Sequence, residues 1–384
     1  MVCVYRVILQ TLGNTKPQRT DNTENKLRSV LLEILNRLPQ NDVLKPYVQE
    51  LLTTCMHALN NDNEDNAITC LRIIFDLHKN YRPSLEKEVQ PFLDFVCKIY
   101  KDFSDTVTYF FGKEETGKPG SQPQLKSGEL VLSTSSFKVV TECPLIVMFL
   151  FQLYPLFIKQ NIPNLLPLMV NVISISGPRK VTDAMAANFS DLKAAQVKTV
   201  SFLTYLLRSF AEFLIPHQES VSASVVNLLV TSPDSVAIRK ELVAATRHVL
   251  ATDFRRGFFS KIDILLNEKV LVGSGRACFD TLRPLAYSLL AEFIHHVRLE
   301  LSLTLLSVIV YLFSRNVHDS SLPLSVQTTC VRLMLNLVES IFRRRGGEMD
   351  NVKGRALLGR ILDSFVSKFG TLGHTVKQLH KEKL

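Results

Sequence analysis

Two histidines and a carboxylate crowd the end of TLRPLAYSLLAEFIHHVR, as Glu292, His295 and His296. On a helix, Glu-x-x-His is half of a di-iron carboxylate site, and the same trio could do acid–base work. The other half is missing. Such a site needs a second Glu-x-x-His and two further glutamates, and the chain has no second copy. Adjacent helical residues diverge by about 100°, so His295 and His296 cannot chelate one ion together. Around them Leu282, Leu285, Ala286, Leu289, Leu290, Phe293, Ile294 and Val297 recur at the spacing of one helical face. The wheel predicts His295 opposite that face, His296 at its edge, and a helix that is there to pack.

Other chemical signatures also fail. Gly273-Ser274-Gly275 follows the apolar run Val270-Leu271-Val272, but a dinucleotide loop needs a third glycine where Cys278 stands. No P-loop, zincin, nucleophile-elbow or kinase signature occurs, so no catalytic, cofactor-binding or metal residue is assigned and the chain reads as non-enzymatic. Arg343-Arg344-Arg345, followed by Gly346-Gly347, suits either an acidic partner or a helix end, where cations offset the dipole and glycine terminates the turn.

What positions these residues is a repeat. The apolar–polar step Leu282-Arg283 has counterparts at Leu27-Arg28, Ile68-Thr69, Val197-Lys198, Ile238-Arg239 and Val326-Gln327. Successive gaps are 41, 129, 41, 44 and 44 residues, 129 being three times 43. A period of about 40–47 residues with two helices per unit is that of HEAT or armadillo repeats. The expected fold is therefore all-α, a right-handed α-solenoid of antiparallel helix pairs with the marks on second helices. Acidic residues before the marks (Glu24, Asp191, Asp234, Asp280) predict ion pairs between repeats and acidic helix caps.

Partner helices are expected over 43–59, 83–103, 254–268 and 299–313, the last apolar nearly all round and so the most buried. KVLVGSG reads as a solitary strand-like segment. Residues 112–136, rich in Gly, Pro, Ser and Thr, read as a mobile loop inserted between repeats 1–111 and 137–384.

Composition narrows the class further. Seven cysteines show no C-x-x-C and no clustering, which points to free thiols in a reducing compartment. The apolar runs 144–157 and 301–313 fall short of the about 20 residues a spanning helix needs, and no secretory signal is legible at the N-terminus. Net charge is +9, and residues 337–384 carry ten Lys/Arg against five Asp/Glu. That surplus predicts an acidic partner.

VLVGSGRACFDTLRPLAYSLLAEFIHHVR, LPLSVQTTCVRLMLNLVESI and SFKVVTECPLIVMFLFQLYP resemble the N-terminal HEAT region of the pseudokinase branch of the phosphatidylinositol-3-kinase-related family. The resemblance runs from about Lys26 to the end. It implies a nuclear, non-catalytic scaffold segment of a transcription coactivator. Its partners would be acidic transcription activators and subunits of SAGA-type and MYST-type histone acetyltransferase complexes. The candidate contacts are Arg255, Arg256, Arg343, Arg344 and Arg345, with direct nucleic-acid binding left open and no small-molecule substrate or membrane. The alternative is a HEAT scaffold of another class, an importin-like cargo receptor or the solenoid of an active kinase.

Overall fold

The computed structural model describes residues 2–38, 41–82, 85–112, 129–344 and 348–382. Among them no strand forms, and β pairing is confined to isolated bridges between Thr20 and Glu129 and between Asn63 and Leu132. The chain divides into two compact units, Met1–Ser224 and Val225–Leu384.

The first unit holds α1 (Val2–Asn14), α2 (Thr23–Arg37), α3 (Val48–Asn61), α4 (Glu64–Asn80), α5 (Val89–Lys101), α6 (Phe103–Phe111), α7 (Phe137–Leu153), α8 (Leu156–Ser174), α9 (Ala186–Ser209) and α10 (Ala211–Leu214). Helix α11 (Gln218–Thr231) crosses the division. The second unit continues with α12 (Val236–Leu250), α13 (Ile262–Leu265), α14 (Glu268–Val272), α15 (Arg276–Val297), α16 (Leu303–His318), α17 (Leu324–Phe342) and α18 (Glu348–Glu382).

Helices α2, α4, α7 and α9 pack in succession as one row, and α1, α3, α5 and α8 as another, with α3 on α4 and α8 on α9 joining the rows. In the second unit α12, α15 and α17 form the corresponding row, while α16 packs on both α17 and α18. This is a solenoid of HEAT-like helix pairs. The six register marks lie on second helices within each unit, α2, α4 and α9 in the first and α12, α15 and α17 in the second. The 129-residue gap is shorter in repeats than three times 43 implies: between α4 and α9 the row holds α7 alone. The inserted segment and the 24-residue α9, which carries Val197 near its middle, absorb the difference.

Helix starts follow local chemistry. The side chains of Asn22, Asn63, Ser136 and Ser302 each accept a hydrogen bond from a backbone N–H three residues on. These caps are amides and hydroxyls; the carboxylates expected in that role are not the cap residues, and of the four only Glu24 falls in a first turn where such an acid was predicted. Inward stripes then bury side chains such as Leu52, Ile74, Phe92, Phe151, Phe202 and Phe293 completely.

Four expectations need correcting. Residues 113–128 of the predicted loop lie outside those described, but its end packs. Leu130 N donates to Arg19 O at 2.8 Å, Glu64 N to Val131 O at 2.9 Å, and Ser133 N to Asp62 O at 3.0 Å. The segment is held by its backbone, with Leu130, Val131 and Leu132 only half-buried, and such bonds do not show in an average over 25 positions. Segment 254–268 is mostly a 3-10 helix, Asp253–Lys261, with Gly257 buried against its neighbours. Helix α16 is not wrapped: Val308 and Tyr311 are 47% and 59% exposed, because it packs on α17 and α18 and keeps an outer face. KVLVGSG holds the short helix α14, not a strand.

Candidate partner-docking surface

The helix that carries Glu292, His295 and His296 is α15, packed between α12 and α17. Glu292 accepts from Arg247 Nε of α12 at 2.9 Å. His295 is half-buried, with Nδ1 3.3 Å from Asn336 Nδ2 of α17, while His296 is exposed. The wheel had them the other way round, because α15 buries two flanks instead of one stripe. Glu292 and His295 stitch neighbouring helices, and among the described residues no cluster of His, Cys, Asp and Glu could hold a metal. His295→Ala is expected to lower stability by under about 0.5 kcal/mol in denaturant titration. A larger loss than Phe293→Ala would mean that the histidine has a role beyond stitching.

Four of the donors after the register marks, Arg28, Arg239, Arg283 and Gln327, are buried. Arg28 is 2% exposed. Its Nε and Nη2 donate to Asp62 Oδ2 at 2.9 and 2.8 Å, and Nη1 donates to the carbonyls of Leu12 and Thr15 at the end of α1. Arg239 donates to the carbonyls of Leu229, Ser232, Pro233 and Val270. Gln327 donates to those of Asp319 and Leu322, beyond the end of α16. In the α9 repeat Gln196 does this work, donating to Val172 and Ile175 at the end of α8, instead of the marked Lys198. Each buried donor thus satisfies carbonyls that a helix end leaves unpaired.

Arginine does more, because it also reaches a carboxylate. Arg28 takes Asp62 from the turn after α3, and Arg283 pairs with Asp319 in the turn after α16 while donating to Ser321 Oγ at 2.9 Å. These partners lie 34 and 36 residues downstream, so the acids preceding each mark are the wrong ones in both cases. Asp280 instead approaches Arg276 on its own helix at 3.9 Å. Asp234 is the exception, 3.3 Å from Arg239.

Asp234 also explains Gly273-Ser274-Gly275. Ser274 donates to it through N at 3.0 Å and Oγ at 2.7 Å, and the Ser274 hydroxyl is the chief cause that holds the carboxyl below its usual range. Gly273 sits at φ +94°, and a Cβ there would stand 2.5 Å from Asp234 Oδ1. The glycines let one repeat's loop close on the carboxylate of the one before.

The candidate arginines fall on separate elements. Arg255 and Arg256 lie on the 3-10 segment that packs on α12, Arg255 half-buried with Nη2 3.4 Å from Asp253 and Arg256 exposed. Arg343 is exposed beside Glu339 at the end of α17. Arg344 is half-buried and donates to Leu299 O at 3.2 Å, so part of its charge serves the α15–α16 turn. Arg345 lies outside the described residues.

The comparisons with known proteins decide the family. Residues 188–384 match the family model described as Tra1 HEAT repeat central region. The chain belongs to the Tra1 family. The Homo sapiens transformation/transcription domain-associated protein is 37% identical over 374 residues, covering 90% of this chain. The Dictyostelium discoideum relative, named a probable transcription-associated protein 1, is 32% identical and covers 98% of it. The Saccharomyces cerevisiae relative, at 30% identity over 93%, is named a SAGA complex/NuA4 acetyltransferase complex subunit. The chain spans about a tenth of the length of these Tra1-family relatives. The matched description is the central HEAT region of the family, where the sequence motifs alone resembled its N-terminal part.

Among the described residues no helix is long and apolar enough to cross a membrane. Cys55, Cys70, Cys143, Cys278 and Cys330 are buried and unpaired, and burial pushes the Cys330 thiol up to about 12. Such thiols are packing residues, not nucleophiles.

Proposed function

We propose that this Tra1-family segment is a non-catalytic scaffold of a nuclear transcription coactivator, which docks acidic activator segments and sister subunits of a histone acetyltransferase complex. The observation that carries the reading is the match of residues 188–384 to the family's HEAT region, with relatives named as SAGA and NuA4 subunits. Internal chemistry agrees with a scaffold. The buried arginines are consumed in holding repeats together, and several of the cations outside, among them Arg256 and Arg343 with the half-buried Arg255 and Arg344, suit long-range attraction. Arg345 joins them by sequence.

Disordered acidic ligands lose conformational entropy on binding, so affinity is expected at about a micromolar. It should fall as salt rises, since exposed charges are screened within about 8 Å at physiological ionic strength. The test titrates a labelled acidic–hydrophobic peptide against wild type and the Arg343→Glu/Arg344→Glu/Arg345→Glu variant at two salt concentrations. Weaker, salt-dependent binding by the variant supports the reading; equal affinity removes this cluster from the docking surface.

A further inference from the structure

Helices α16 and α18 leave between them a groove of about 1030 Å³ whose lining mixes apolar side chains, such as Leu303, Tyr311 and Leu357, with hydroxyls and charged groups. Its floor is Leu357, 7% exposed, and Ser364, 6% exposed, whose hydroxyl lies 3.4 Å from His318 Nε2. Hydroxyls recur along both walls, from Thr304 and Ser307 on α16 and Ser367 on α18, while that of Ser314 donates to Met334 Sδ at 3.4 Å. From α18 the Arg360 guanidinium reaches over the Tyr311 ring of α16, 5.6 Å from its centroid. Lys353 stands two turns before it on the same wall. Of the other charged groups, Arg315 is held by Glu268 at 2.9 Å, and Asp363 is the one carboxylate among the lining residues.

We propose that this groove binds an extended protein segment bearing two carboxylates three residues apart, one on Lys353 and one on Arg360. The proposal rests on the docking function above and assigns it a place and a ligand pattern. Seven helical residues separate the two cations along α18 by about 10.5 Å. A polyproline II segment repeats every three residues at about 3.1 Å each, which puts carboxylates of an acid-x-x-acid motif on one side, about 9.3 Å apart. The intervening residues then lie over Leu357 and the Tyr311–Arg360 shelf.

Hydroxyls decide for an extended ligand over a helical one. A polyproline II backbone has no internal hydrogen bonds, so its N–H and C=O groups need partners, and the two walls supply them. A helix satisfies its own backbone and prefers an apolar groove. The neighbouring α17–α18 groove is of that second kind, with Leu324, Val331, Leu335, Phe365 and Phe369 in its lining and Lys368 already donating to Gln327 at 2.7 Å.

Charge density decides against duplex nucleic acid. The 16 residues of α16 run for about 24 Å. Duplex DNA presents a charge every 1.7 Å or so, roughly fourteen over that length. Three lining cations, one of them already paired, match a segment with two acids instead.

The test uses the full chain and fluorescent twelve-residue peptides of identical composition, one with a Glu-Pro-Pro-Glu core and one with Glu-Glu-Pro-Pro. Wild type is expected to favour the first by about fivefold, and Arg360→Gln and Lys353→Gln each to weaken it by roughly three- to tenfold, the range of an exposed charge-assisted hydrogen bond. Both side chains are exposed, so thermal unfolding should be unchanged and will report any folding defect. Arg343→Gln/Arg344→Gln should retain the spacing preference. Loss with that double variant but not with Arg360→Gln would leave docking in place and remove it from this groove. Equal affinity for the two peptides, no binding by wild type, or tighter binding of a single-stranded oligothymidine would overturn the proposal.

Discussion

Phe293→Ala is expected to destabilise the second unit by about 3–5 kcal/mol. The ring is fully buried on α15, between the helices α12 and α17 that flank it in the row. Two effects add: the transfer free energy of the lost ring, and a cavity that helices held on both sides cannot collapse to fill. Leu289→Ala, on the same face at 1% exposure, should follow at about 2–5 kcal/mol. The loss should concentrate in α15 and its neighbours, since repeat arrays are stabilised by nearest-neighbour interfaces and lose cooperativity over distance. Native-state hydrogen exchange is the appropriate readout. Accelerated exchange in α15 and α17 is expected; exchange faster in α4 than in α15 would contradict the nearest-neighbour account.

Arg28→Ala is the second large effect, again about 3–5 kcal/mol, and it arises differently. Removing the guanidinium leaves Asp62, 0% exposed, as a buried charge without its cation, and strips donors from the Leu12 and Thr15 carbonyls. Asp62 Oδ1 still accepts from Asn63 N and Asn66 Nδ2 at 2.9 and 3.1 Å, which moderates the cost but does not replace the charge partner. Arg28→Lys should recover little, because an ammonium cannot span both the carboxylate and the helix end. Arg28→Ala close to wild type in chemical denaturation would show that the pair contributes no specificity and that α1 holds without it.

The second helices were legible because apolar side chains recur along them at a fixed period. Of the marks themselves only Val197, Leu282 and Val326 are buried, while Ile68 and Ile238 are half-buried and Leu27 is 44% exposed. The donor beside each mark was legible in type for Arg28, Arg239 and Arg283. Its partner was not, since Asp62 and Asp319 come from turns one repeat further on, a distance that spacing around a single helix does not reveal. Gln196 escaped for a related reason: the mark at Val197 was right, but the long α9 turns the residue before it, instead of the one after, toward the end of α8. His295 and His296 were exchanged because a one-stripe wheel assumes one neighbour, and α15 has two. Glu129–Ser136 packs through backbone bonds, which composition does not encode. The α16–α18 groove depends on which polar faces two helices turn toward each other, and neither helix shows it alone.

The claim on which the rest depends is that the buried arginines join repeats to one another, leaving only exterior cations for partners. A double-mutant cycle on Arg28→Met and Asp62→Asn, followed by denaturant unfolding of the first unit, tests it most directly. The account predicts two costly single variants and a double variant that loses far less than their sum, with a coupling energy of at least about 2 kcal/mol. Additive losses would show that Arg28 and Asp62 act independently and that the staple between repeats does not exist.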